Sequence, residues 1–97
     1  MSKYRFTFHS DPGHGWLQVT HKQLRQSGIA DKISMYSYMD DDYVYLEEDC
    51  DASLFLKQLD DNKITYSFDE RHTNRDHWIR NRPAYKFFAS PFTGVGQ

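Results

Sequence analysis

The first pattern along the chain is an alternation in which Tyr4, Phe6 and Phe8 are separated by Arg5 and Thr7 and followed by His9. A period of two predicts a strand with one buried face. Ser10-Asp11-Pro12-Gly13 should end it in a turn, because proline presets one dihedral and glycine accepts a positive φ. Trp16 to Val19 then reads as a short second strand closing a hairpin with the first. Thr20 offers a hydroxyl as a helix cap, His21 to Ser27 makes two turns, and Gly28 stops them. Leu24 is the only strong apolar anchor within that helix, so Val19 and Ile29 must help to hold it.

Ile33 to Met39 and Tyr43 to Glu48 read as an antiparallel hairpin around Asp40-Asp41-Asp42. Asp51 is expected to cap a second helix, in which Ala52, Phe55, Leu56 and Leu59 fall at i, i+3, i+4 and i+7. Asp60-Asp61-Asn62 ends it, and Ile64, Tyr66 and Phe68 alternate with Thr65, Ser67 and Asp69 as the next strand. Asn74 is expected to cap a short helical turn through Asp76, His77, Trp78 and Ile79, with Pro83 terminating it. The order is β(β)αββαβ followed by a basic C-terminal extension. It implies an α+β fold with a mainly antiparallel four- to five-stranded sheet and two helices on one face. Without a strand at Trp16 to Val19, the ferredoxin-like order βαββαβ remains. Residues 1–86 form the single domain and 87–97 a tail.

Composition makes this fold depend on aromatic rings. Leu, Ile, Val and Phe supply 20 of 97 residues, close to the ~20% below which strongly charged chains tend to stay disordered. A net charge of only -2 keeps self-repulsion small, and seven Tyr and two Trp add bulky apolar surface. No apolar run approaches the ~18 residues that span a bilayer, and the opening Met1-Ser2-Lys3-Tyr4-Arg5 lacks the apolar stretch of a signal peptide. A single cysteine makes neither an internal disulfide nor a multi-cysteine zinc site, so the expected location is cytoplasmic.

Strand register decides where the hairpin tyrosines point. A two-residue loop at Asp40-Asp41 sets Met35 opposite Leu46 and Ser37 opposite Val44, and gathers Tyr36, Tyr38, Tyr43 and Tyr45 on one face. A three-residue loop instead pairs Tyr38 with Val44 and Tyr36 with Leu46. No glycine in the loop decides between them. The tyrosine face either packs under the C-terminal segment or forms a contact surface, tyrosine being enriched in interface hot spots.

Charge is segregated along the chain. Residues 40–61 hold nine acidic side chains against Lys57, whereas residues 71–86 hold five basic ones against Asp76. Loop solubility, helix capping and a solvated tail account for both runs in plain structural terms. The functional reading makes Asp40, Asp41, Asp42, Glu47, Glu48 and Asp49, with the four tyrosines, a partner-binding surface that attracts a positively charged groove. The alternative is a nucleic-acid-binding segment using Arg71, Arg75, Trp78, Arg80, Arg82 and Lys86, with Tyr85, Phe87 and Phe88 as stacking rings. A pI near 6.2 speaks against a dedicated nucleic-acid binder.

The remaining candidates for chemistry are sparse. His9, His14, His21, His72 and His77 show no HExxH spacing and no cysteine pair to complete a zinc site. Asp40-Asp41-Asp42 lacks the alternate spacing and central glycine of a calcium loop. His14 in Pro12-Gly13-His14-Gly15 reads as part of the turn, and no metal or cofactor is expected. Cys50 sits among Asp49, Asp51, Glu47 and Glu48, whose charges disfavour a thiolate, and is expected to be buried at the helix start. A third reading, a small nuclease with His72 or His77 as acid/base and Arg75 or Arg80 on phosphate, lacks a second catalytic group in reach.

Four strings, Gly13-His14-Gly15-Trp16-Leu17, Ile33-Ser34 with Tyr36-Ser37-Tyr38, Tyr45-Leu46-Glu47-Glu48-Asp49-Cys50-Asp51-Ala52, and His72-Thr73-Asn74-Arg75, together resemble a family of small proteins encoded by bacteriophages and prophages. The resemblance spans roughly residues 4 to 82 and carries no site residue with it. It implies the context of a phage accessory protein, a class that often acts by binding host proteins, including nucleases and CRISPR effectors of defence systems. Together with the small size, the lack of a catalytic constellation, the segregated charge and the surplus tyrosines, the expectation is a non-enzymatic protein that binds and inhibits a host protein, with a defence component as the target.

Overall fold

The alternation at Tyr4 to Phe8 does form the first strand. In the computed structural model, which describes residues 3–87, β1 (Tyr4–Ser10) and β2 (Gly15–Thr20) make an antiparallel hairpin. Gly15 leaves room for the Phe8 ring at the start of β2, since a Cβ there would meet it at 2.6 Å. Helix α1 (His21–Ser27) opens with a reciprocal cap. The Gln23 amide N–H donates to Thr20 Oγ1, and the Thr20 amide N–H donates to Gln23 Oε1. Gly28 closes it in the left-handed conformation at φ 84°.

A 3-10 turn at Ala30–Lys32 leads to β3 (Tyr38–Met39), followed by β4 (Tyr43–Glu47), helix α2 (Asp51–Asp61) and β5 (Tyr66–His72). The five strands lie in the order β3-β4-β2-β1-β5. β5 joins β1 in parallel, and every other pairing is antiparallel. The fold is therefore α+β with a mostly antiparallel mixed sheet. The strand at Trp16 to Val19 rules out the ferredoxin-like alternative.

Four local expectations are corrected. The segment before β3 is not a strand, because Ser34 and Ser37 are drawn down to Asp51 instead of pairing along β4. The register matches neither loop considered: Tyr38 opposes Tyr45 and Met39 opposes Val44. Asp40 makes this possible, since its Oδ1 accepts from the Asp42 and Tyr43 amides and supplies the turn that no glycine provides. Asp51 does not cap α2, its carboxylate being committed to the two serines, and Cys50 precedes the helix without a side-chain cap. Finally, His77, not Asn74, caps the 3-10 helix Trp78–Asn81, with Nδ1 accepting from the Ile79 amide.

Both helices cover one face of the sheet. Phe6, Leu17, Val19, Val44 and Leu46 meet Leu24, Ala52, Phe55 and Leu59 in the main core. Phe6 and Phe55 pack edge to face at 5.6 Å. On the opposite face Trp16 and Tyr45 are buried under Ile79, with Tyr38 against them. The C-terminal segment then runs along β3, where the Met39 amide donates to the Pro83 carbonyl and the Tyr85 amide to that of Ser37. This covers a sheet edge that would otherwise stay open. Residues 88–97, most of the expected tail, lie outside the described residues. Among the described residues no helix is long and apolar enough to cross a membrane.

Two phenylalanines test this layering. Phe55→Ala should lower unfolding free energy by about 3 to 5 kcal/mol in a urea titration. Phe68→Ala, at a side chain 40% exposed, should cost less than about 1 kcal/mol.

Candidate functional site

The site begins with a buried carboxylate. Asp11 Oδ1 accepts from the Gly13 and His14 amides and from Arg80 Nη2, while Oδ2 accepts from the His77 amide and Arg80 Nε. The Arg80 guanidinium holds this carboxyl far below the usual range, against the opposing effect of burial, and the three amides add to it. Arg80 is in turn stacked 5.3 Å from the Trp16 ring centre. One contact thus fixes the β1–β2 turn, orients the backbone of His14 and pins the C-terminal segment across the sheet.

Beside it lies a cavity of about 270 Å³. The buried Trp16 and half-buried Tyr38 form part of its wall, His14, Glu47 and Asp49 contribute ionisable groups, and Tyr36, Cys50 and Arg80 complete it. These residues are remote in sequence. The β2–β4 register brings them together, with Trp16 opposite Glu47. Glu47 Oε1 accepts from the Asp49 amide at 3.2 Å, and His14 Nδ1 stands 3.8 Å from Glu47 Oε2.

Tyr36 stands at this cavity on a braced loop. Ser34 and Ser37 both donate hydroxyl protons to Asp51 Oδ2, each at 2.6 Å, and the Ser34 amide donates there too. Ser37 Oγ also accepts from the Glu47 amide, so loop, strand and helix share one buried node. The Tyr36 amide donates to Ser34 Oγ. The Tyr36 and Met35 side chains remain 69% and 74% exposed.

The expected partner-binding residues divide. Tyr36, Tyr38, Glu47 and Asp49 meet at the cavity, and Glu48 is exposed beside Asp49. Asp41, Asp42 and Tyr43 are exposed at the other end of β4. Tyr45 is buried and offers no open surface, and Glu47, also buried, reaches only the cavity wall. Tyr45 donates its hydroxyl to Asp40 Oδ2 at 2.6 Å, and burial, reinforced by that carboxylate, pushes the phenol pKa up. The covering of the tyrosine face by the C-terminal segment is thus realised for Tyr45 and partly for Tyr38.

The basic candidates are similarly divided. Arg80 is committed to Asp11, and Arg82 lies between the Trp78 ring and Asp40. Arg71, Arg75 and Lys86 are exposed, and Trp78 is partly so. Of the nuclease candidates, His72 Nδ1 lies 2.9 Å from the Ser10 hydroxyl on the surface, whereas His77 is buried against His9. Cys50 is exposed rather than buried, because its position before α2 faces the cavity. Its thiol pKa is raised by desolvation and by the carboxylates of Glu47, Asp51 and Asp49.

The sequence reading did not place His14, Trp16 or Cys50 at a site. Residues from 13–17, 33–38 and 45–52 converge on this cavity, three segments that no single local pattern joins. No protein-family model, curated protein or solved structure matches the chain.

His77 gives the site region a pH dependence. Burial, then the neighbouring His9, holds its imidazole below the ordinary value of 6.5. The unfolded chain therefore takes up this proton at a higher pH than the folded one. The associated stability is complete above about 6.5 and is lost as pH falls through the folded-state value. Urea midpoints should drop between about pH 7.5 and pH 5. His77→Asn, which keeps an acceptor for the Ile79 amide, should flatten that drop.

Proposed function

We propose that the chain is a non-enzymatic phage accessory protein that binds and inhibits a host protein, a defence component being the expected target class. Contact is made through the surface around Tyr36. The observation that carries this reading is the braced display of Met35 and Tyr36, two large exposed apolar side chains on a loop tied down by Asp51. Ordering such a loop in advance reduces the entropy lost on binding. Tyrosine presents wide apolar area and a polar tip, the combination found in interface hot spots. The adjoining Glu48 and Asp49 are exposed and favour a partner face rich in lysine or arginine. The phage and host parts of the reading rest on the resemblance, while the contact surface rests on the geometry.

The test is affinity capture by the tagged chain from bacterial host lysate, followed by binding measurements with the recovered protein. One stoichiometric partner is expected, with affinity reduced at least about tenfold by Tyr36→Ala and an unchanged thermal midpoint. Glu48→Lys should slow association, and added salt should weaken it. Absence of a stoichiometric partner, or equal affinity in both variants, contradicts the reading.

A further inference from the structure

One group at the cavity is left unexplained by protein contact. Glu47 Oε2 is enclosed and, among the described residues, has no hydrogen-bond partner, in a residue only 7% exposed. A buried carboxylate oxygen with nothing donating to it is costly, and native structures rarely leave one so. His14 Nδ1 faces it at 3.8 Å, beyond hydrogen-bond range. Asp49 completes the surroundings: one ligand atom each from His14, Glu47 and Asp49 lies within 4.8 Å of the other two.

We infer that His14, Glu47 and Asp49 form a binding site for a divalent transition-metal cation, with Zn²⁺ as the representative ion. The donor set is one imidazole nitrogen and two carboxylate oxygens. Imidazole favours zinc and its neighbours over magnesium and calcium, whose sites are built from oxygen. Bonds of about 2.0 to 2.2 Å to such an ion put its ligands closer together than they now stand. His14 and Asp49 are exposed at the cavity and can close that gap by side-chain rotation, while Glu47 is already anchored. The backbone behind His14 is fixed, because its amide donates to Asp11.

Charge favours a cation here. Arg80 also lines the cavity, but its guanidinium is paired with Asp11; among the described residues Glu47 has an ion pair only with His14, at 3.8 Å, and Asp49 has none. Three protein ligands leave a coordination position for water or an anionic group, as in zinc sites that are not purely structural. This goes beyond the proposed docking role. The ion would lie beneath the Tyr36 surface, yet docking through Met35 and Tyr36 does not require it.

The experiment is a calorimetric titration of the intact chain with ZnCl₂, repeated with Co²⁺ for its visible spectrum. One ion per chain is expected, with a rise in thermal midpoint on binding. His14→Ala, Asp49→Asn and Glu47→Gln should each weaken affinity by at least about tenfold, the lower end of what loss even of an outer-shell partner costs. Asp49→Asn is an exposed, near-isosteric change, so its fold should survive and its thermal midpoint without metal should match the parent. His72→Ala, at a distant surface histidine, should leave the affinity unchanged. Failure to saturate, or equal affinity in the parent, His14→Ala and Asp49→Asn proteins, overturns the site.

Discussion

The contact on which the structure depends is the one between Asp11 and Arg80. A carboxylate whose side chain is fully enclosed must find donors or give up its charge, and Asp11 finds five. Two come from its own turn and three from a segment more than sixty residues later. That distribution converts a local turn into a long-range clasp. It is what lets Trp78–Asn81, a single 3-10 turn with little stability of its own, cover the second sheet face.

Several features follow from that covering. Ile79 buries Trp16 and Tyr45, His77 fills the space beside His9, and the chain continues along β3 to seat Tyr85, whose hydroxyl donates to Ala30. A second node acts from the other side. Asp51 holds Ser34 and Ser37, and Ser37 accepts from Glu47 on β4. The cavity lies between the two nodes. His14 is placed by the first, Tyr36 and Glu47 by the second, which is why a chain with few aliphatic residues keeps this region ordered.

Much of the fold was legible because periodicity and capping are local. Thr20, Gly28, and the spacing of Ala52, Phe55 and Leu59 specify their elements from a few neighbouring residues. The misreadings of elements share one cause, short polar side chains whose hydrogen-bond partners the local pattern does not reveal. Asp51 has the right type and place for a helix cap, but Ser34 and Ser37 compete for it. Asn74 is likewise a good cap by type, yet the Asp11 clasp on the His77 amide begins the turn three residues later. The β3–β4 register turned on Asp40 bonding its own loop, a substitute for glycine that composition does not reveal. For the site, Tyr36 and Asp49 were legible as exposed polar or aromatic candidates. His14 and Trp16 were not, because only the β2–β4 pairing sets them beside Glu47.

The claim that Asp11 and Arg80 hold the second face in place is tested most directly by native-state hydrogen exchange on Arg80→Leu. The account predicts that amides of the covering segment and its edge contacts, Ile79, Arg82, Tyr85 and Met39, lose protection by about a hundredfold or more. Amides pairing β2 with β4 should change far less, since the helix-covered core is untouched. Equal loss across both groups, or protection of Ile79 and Tyr85 at the parent level, would contradict it.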